Sequence, residues 1–198
     1  FVNSKALKNT LTIVISACGV LAVAVFTYFF CYYTFVDTTT DIGSLSQILR
    51  FDDRWGTHRG FMWINGVRDF FDSDLRIILF GSGCDTFYYF FEPHFAELCE
   101  RFNNSSTNTI HSEYLNYLIT QGVLGFISYL TIIIGVTVRA FKISKENSMA
   151  LLFIFPVIAY SAQAVVNIYQ PITTPFLIIF IALTECIARK SNSANKLP

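Results

Sequence analysis

The stretch Asp53 to Trp63, DRWGTHRGFMW, sets Arg54, His58 and Arg59 among aromatic side chains in a chain that is otherwise 53% hydrophobic and only 14% charged. Arginine offers a planar, permanently charged donor fork that matches phosphate, whereas lysine is a flexible point charge. The distribution of the two cations is uneven. Six of the eight arginines and twelve of the fourteen acidic residues lie between positions 36 and 113, and all six lysines lie outside that segment. Two explanations stand side by side: the arginines bind a phosphate-bearing ligand, or they pair with the neighbouring acids. The segment is acidic on balance and its flanks are basic, which excludes the continuous basic face of a nucleic-acid binder.

Other residue types capable of chemistry are sparse. His58, His94 and His111 match no zincin or zinc-finger spacing, so no metal site is read from them. Gly81-Ser82-Gly83 matches neither a Walker loop nor a dinucleotide fingerprint and reads as a tight turn. Cys84 and Cys99 share the 36–113 segment, where a disulfide and two free thiols are both open readings; Cys18, Cys31 and Cys186 fall in or beside apolar runs. Asn103 and Asn104 both satisfy the N-x-S acceptor pattern. His111, with Glu113 close by, directly precedes an apolar run. It titrates in the range useful for proton transfer, although residue physics alone favours a helix-terminal or surface role.

Apolar segments must position these groups, and about 20 apolar residues cross a membrane. Residues 11–36 form an uncharged run that ends in the aromatic cluster YFFCYYTF, suited to a membrane interface. It is longer than a signal-peptide core and lacks a small-residue cleavage pattern. A second span is read at 114–138, where Gly122 and Gly125 permit close helix approach. A third is read at 149–166 and a fourth at 174–188, with Pro171 and Pro175 breaking the chain between them. Lys5 and Lys8, then Arg139, Lys142 and Lys145, then Arg189 and Lys190 mark cytoplasmic ends. Segment 37–113 is therefore expected as one large external loop. Within it, Phe61, Ile64, Val67 and Phe71 recur at helical spacing, and FYYFFEPHFAELCERF alternates aromatics with charges, as short amphipathic helices do. The expected fold is an all-α integral membrane protein with four spans and one external loop, forming a single membrane domain over 1–198. The chain begins at Phe1 and reads as a fragment.

DRWGTHRGFMW, LFGSGCDTF and HSEYLNYLITQGVLGFISYL, in that order and with that topology, resemble the O-antigen ligase and polymerase superfamily of bacterial envelope polysaccharide assembly. The resemblance is clear over about residues 52–135, and NIYQPITTPF resembles the family's closing helix pair. It implies the C-terminal portion of a GT-C-like glycosyltransferase in the bacterial cytoplasmic membrane. Such an enzyme transfers or polymerises glycan from an undecaprenyl-pyrophosphate donor onto a glycan or lipid-glycan acceptor at the outer face. No metal or other cofactor is expected. By carry-over, Arg59 is the loop arginine that holds the donor pyrophosphate, and His111 is the essential histidine, acting as general base or donor ligand. Arg54, Arg68, Trp63 and Glu113 are expected to contact substrate. Ser112 departs from the family's usual Asn; its hydroxyl still suits a helix cap. The rival expectation is a non-catalytic membrane module, either a transporter fragment or a polysaccharide-assembly scaffold. Transporters carry intramembrane charge along their route, and Glu185, near the cytoplasmic end of the last expected span, is the only acidic candidate the sequence offers, which disfavours that rival.

Overall fold

The structure is a computed structural model that describes residues 4–104, 106–144, 147 and 149–194, with side chains from residue 10 to residue 190 within those ranges. Lys145 and Lys196, and Ser105 of the N-x-S pattern, lie outside the described residues, as do the side chains of Lys5 and Lys8. The protein is all-helical, 77% helix, with no strand among the described residues. It divides into two compact units, Phe1–Ile64 and Asn65–Pro198.

In the first unit, helix α1 (Ser4–Cys31) passes into a π-type turn, Tyr32–Val36. The apolar segment Thr10–Val36 is long and apolar enough to cross a membrane and is 0% buried within the protein. Leu11, Ile13, Val20, Leu21 and Val23 all expose more than half their surface, an apolar rod that hydrocarbon would cover. Where α1 ends, the carbonyls left by the wide turn are collected by one side chain. Arg50 donates to the oxygens of Tyr33 (3.3 Å), Asp37 (3.2 Å) and Thr40 (2.6 Å). Asp37 accepts from Thr40 N at 3.0 Å, and its hydrogen bonds with Thr40 hold its carboxyl below the ordinary range. Short helix α2 (Ser46–Leu49) leads to α3 (Trp55–Asp72), which begins in the first unit and whose residues from Asn65 onward belong to the second. The structure confirms a helix over the stretch read as amphipathic but shifts its inward stripe. Phe61, Met62, Asn65, Gly66 and Phe70 are buried, whereas Phe71 is 60% exposed.

In the second unit, α4 (Leu75–Phe80), α5 (Phe87–Phe91) and α6 (Phe95–Phe102) precede the long helix α7 (Glu113–Ile143), followed by α8 (Met149–Gln163) and α9 (Thr174–Ala194). Helix α7 is the second segment long and apolar enough to span; α8 is a shorter apolar helix of 15 residues. The cores of α7, α8 and α9 meet at Ile133, Ala140, Ile143, Ala150, Ile154, Val157, Leu177 and Ala188. Alanines at the contact let backbones approach closely, while Ile127, Ile134, Phe155 and Ile178 remain exposed on the outside. Arg139 of α7 and Arg189 of α9 both bind Glu185, Arg189 at 2.8 Å, so the basic ends of the two helices lie together.

Helix α7 is broken at Gly122, whose φ of 69° and ψ of −178° belong to a region open only to glycine. The break loosens the helical claim on the carbonyls just before it, and the Gly-Ser-Gly turn takes them up. Ser82 N donates to Ile119 O and Gly83 N to Thr120 O, both at 2.9 Å. The approach is backbone on backbone. A Cβ at Gly81 would stand 2.2 Å from Thr120 O, and one at Gly122 would stand 2.5 Å from Gly81 N and Leu79 O. The sequence reading of Gly122 as a close-approach residue thus holds, but the neighbour is the 79–81 backbone. Gly122→Ala is expected to destabilise the protein by at least about 1–3 kcal/mol from backbone strain alone. Gly135→Ala, with nothing within 4 Å of the added carbon, should be neutral or slightly stabilising. Thermal unfolding of the detergent-purified protein checks the pair, and equal midpoints would refute the interlock.

Candidate functional site

The arginine stretch folds into an unusual turn. Arg54 N donates to Asp52 Oδ1 at 2.8 Å and Trp55 N to Asp52 O at 3.0 Å, starting a tight reversal. Gly56, Thr57 and His58 then all take left-handed conformations, with φ of 57°, 63° and 62°. Glycine adopts this freely, but a β-branched threonine does so at a cost, and such strain concentrates where a site must be held. Gly60 closes the turn from below: a Cβ there would stand 1.8 Å from Asp52 O. Trp63 packs within an aromatic group, 5.0 Å from Trp55 and 6.1 Å from Phe51 between ring centroids, and Trp55 Nε1 donates to Ile48 O at 3.0 Å. Burial pushes the His58 imidazole below its ordinary pKa, towards its neutral form.

The six loop arginines now separate by what they hold. Arg50 is committed to three carbonyls, Arg68 is exposed and donates to Asn65 Oδ1 at 3.4 Å, and Arg101 pairs with Glu97 at 2.8 Å. Among the described residues, the guanidinium groups of Arg54, Arg59 and Arg76 form no hydrogen bond or ion pair, even though acids are abundant in the segment; Arg76 is exposed on α4, away from the turn in sequence. Arg54 is exposed and Arg59 half-buried beside Gly56. Pairing with acids therefore accounts for Arg101 and leaves the opening arginines uncommitted.

Arg54, Arg59 and Trp63 belong to the first unit; Arg68, His111 and Glu113 belong to the second. His111 has a left-handed φ of 54° and directly precedes Ser112, whose Oγ accepts from Leu115 N at 3.4 Å as the N-cap of α7. Serine thus fills the capping role read for it. Glu113 turns away from the surface. It is 1% exposed, and its carboxylate accepts from Tyr129 Oη at 2.9 Å and Tyr160 Oη at 2.8 Å. Its own N–H donates to Ala164 O and Asn167 O at 2.9 and 2.8 Å. Glu113 therefore locks α7 to α8 and the following turn.

Beside this carboxylate lies a cleft of about 220 Å³ lined by Cys84, Asp85, Asn116, Tyr117, Thr120, Gln121, Tyr169 and Thr174. Sequence reading weighed Cys84 only as a thiol or disulfide partner and passed over the others. The signal for half of them was present: Glu113, Asn116, Tyr117, Thr120 and Gln121 fall at i, i+3, i+4, i+7 and i+8, a polar stripe on an apolar helix. Tyr169 Oη donates to Asp85 Oδ1 at 2.6 Å, and Gln121 Nε2 lies 3.2 Å from Cys84 Sγ. Cys84 and Cys99 are both free thiols. Asp69 Oδ2 and His94 Nε2 meet at 2.6 Å elsewhere in the second unit. No group of three His, Cys, Asp or Glu side chains with metal-binding geometry occurs among the described residues.

Two outcomes follow from these contacts. The Asp85 hydrogen bond, then burial and the Asp85 charge, push the Tyr169 phenol up to about 12. Because the folded value lies above the ordinary one of about 10, the stabilisation is complete below pH ~10 and is lost as pH rises through about 12. Asp85→Asn should return this phenol towards pH ~10 in a difference titration of phenolate absorbance, and superimposable curves would refute the assignment. Tyr129→Phe, which strips one donor from the buried carboxylate, should cost about 1–3 kcal/mol in unfolding free energy; an unchanged value would show that Glu113 does not depend on it. No protein-family model, no curated protein and no solved structure matches this chain.

Proposed function

We propose that the chain forms part of a membrane glycosyltransferase of the O-antigen ligase and polymerase type, using a lipid pyrophosphate-linked glycan as donor. The observation that carries this reading is the uncommitted pair Arg54 and Arg59 on the strained 52–60 turn. The sequence resemblance assigns pyrophosphate contact to the same turn. The reading takes Thr10–Val36 and α7 as spans, with α8 and α9 as shorter third and fourth spans in a GT-C-like bundle. The shared basic end of α7 and α9 then faces the cytoplasm, and the 37–113 segment faces outward.

In the proposed reaction an acceptor hydroxyl oxygen attacks the anomeric carbon, and the bond from that carbon to the lipid pyrophosphate breaks. The pyrophosphate leaves with the electron pair, and the hydroxyl proton passes to His111 acting as base. Fixed guanidinium donors stabilise the charge growing on the leaving oxygen, an effect that reaches several kcal/mol in a poorly hydrated site. General base catalysis adds roughly 10²–10⁴-fold. Arg59→Ala and His111→Ala in the full-length protein are each expected to abolish surface glycan elongation or attachment at normal membrane abundance. Arg59→Lys should rescue poorly, since a point charge does not reproduce the fork. Accumulated lipid-linked single repeats would identify a polymerase, and accumulated long lipid-linked chains a ligase. Normal glycan in either alanine variant would sink the catalytic reading.

Buried Glu113 favours a second reading, a transport module, because intramembrane carboxylates mark transport routes. Its two tyrosine donors and its backbone bonds to the α8 end fit a fixed structural role better. Glu185, the residue the sequence offered for transport, is held by two arginines.

A further inference from the structure

The cleft of the second unit has a composition that selects its ligand. No lysine or arginine lines it, so nothing there supplies the cationic donors that phosphate or carboxylate groups require. Asp85 is its one formal charge, and one oxygen of that carboxylate already accepts from Tyr169. The remaining polar groups are the amides of Asn116 and Gln121 and the hydroxyls of Thr120 and Thr174, which mix donors with acceptors. Tyr117 and Tyr169 add aromatic walls whose electron-rich faces attract C–H groups. Donors, acceptors and aromatic walls around a small space that holds no cationic group suit a ring carrying several hydroxyls. The volume of about 220 Å³ falls below the roughly 300–1,000 Å³ of drug-sized ligand pockets, which restricts the occupant to a single ring.

The hydrogen-bond polarity of one wall is fixed from behind. Tyr160 has a single hydroxyl proton, and it is donated to Glu113 Oε2 at 2.8 Å. The contact of 3.1 Å between Tyr160 Oη and Thr174 Oγ1 must then be donated by Thr174. With its proton spent on Tyr160, Thr174 presents only lone pairs to the cleft. Glu113 therefore acts at a distance, through Tyr160, to make Thr174 an acceptor for a ligand hydroxyl.

We propose that this cleft binds one neutral sugar ring, with Thr174 as an obligatory acceptor positioned by Tyr160 and Glu113. The proposal rests on the glycosyl-transfer reading for the molecule that carries the ring, and its test is chosen so that the two can fail separately. Cys84 lines the cleft and is exposed, which gives a direct probe. In a full-length variant keeping Cys84 and carrying serine at Cys18, Cys31, Cys99 and Cys186, the rate of labelling by a small maleimide reports occupancy. The probes are the methyl glycosides of glucose, galactose and N-acetylglucosamine, with inorganic phosphate and methylamine as charged counterparts. At least one glycoside should slow labelling by about tenfold at ten times its Kd, by mass action. Saturation-transfer NMR on the wild-type protein reads the same contact without any substitution. Thr174→Val should weaken that glycoside by about twofold to tenfold, while Thr174→Ser retains it.

Protection by phosphate or methylamine in place of the glycosides overturns the proposal, as does the absence of both protection and saturation transfer for all three glycosides. Equal affinity in Thr174→Val removes the acceptor role. Sugar protection together with normal glycan in Arg59→Ala and His111→Ala would leave the cleft standing and the transfer reading fallen. Loss of glycan in those variants without sugar protection would do the reverse.

Discussion

A peptide carbonyl taken out of its helical ladder and away from water must find another donor, because leaving it bare costs free energy comparable to a lost hydrogen bond. That constraint organises the second unit. The break at Gly122 directs the Ile119 and Thr120 carbonyls to the amides of Ser82 and Gly83. The bargain requires glycine on both sides, since Gly81 and Gly122 meet backbone to backbone. Once the 81–83 turn is anchored there, Cys84 and Asp85 follow it to the cleft, where Asp85 meets Tyr169. Above the break, Glu113 ties the start of α7 to α8 and to the chain that follows it. The cleft lies between two fixed attachments of a single helix.

A parallel economy governs the first unit. One arginine gathers the carbonyls left at the end of α1, and one glycine lets the start of α3 close on Asp52. Between them the chain tolerates three successive left-handed residues. Arg54 and Arg59 flank this turn with their charges unspent. The contrast with Arg50 matters for reading charge in loops, because identical residue types in one segment serve backbone satisfaction in one case and remain available for a ligand in the other.

Much of this was legible from the chain. Uncharged runs predicted α1 and α7, apolar residues at helical spacing predicted α3, and the placement of Gly81 and Gly83 predicted a turn. The register of α3 was misjudged by one position because Met62, Asn65 and Gly66 supply its buried stripe, and neither Asn nor Gly registers as apolar. Glu113 was expected to contact substrate, yet it opens α7 after a left-handed His111 and an extended Ser112, and Tyr129 and Tyr160 draw its carboxylate inward. The cleft was hidden for a different reason. Hydropathy averages over a window, so Asn116, Tyr117, Thr120 and Gln121 on one face of α7 vanished into the apolar mean. Their partners Asp85, Tyr169 and Thr174 are distant in sequence and share no local pattern.

The exposed surface of α1 has a consequence for how the two long apolar helices tolerate change. Thr34 accepts from Phe51 N at 2.9 Å and Phe30 meets Trp55 edge-on, but outward residues such as Ile13, Val20, Leu21 and Val23 are more than half exposed, so others of similar hydropathy would satisfy the same surroundings at those positions. Helix α7 has no such freedom, since its glycine, its glutamate and its polar stripe each answer to a particular neighbour. Across natural variants, the outward positions of α1 should therefore drift in identity while keeping their composition, and α7 should hold individual letters in place.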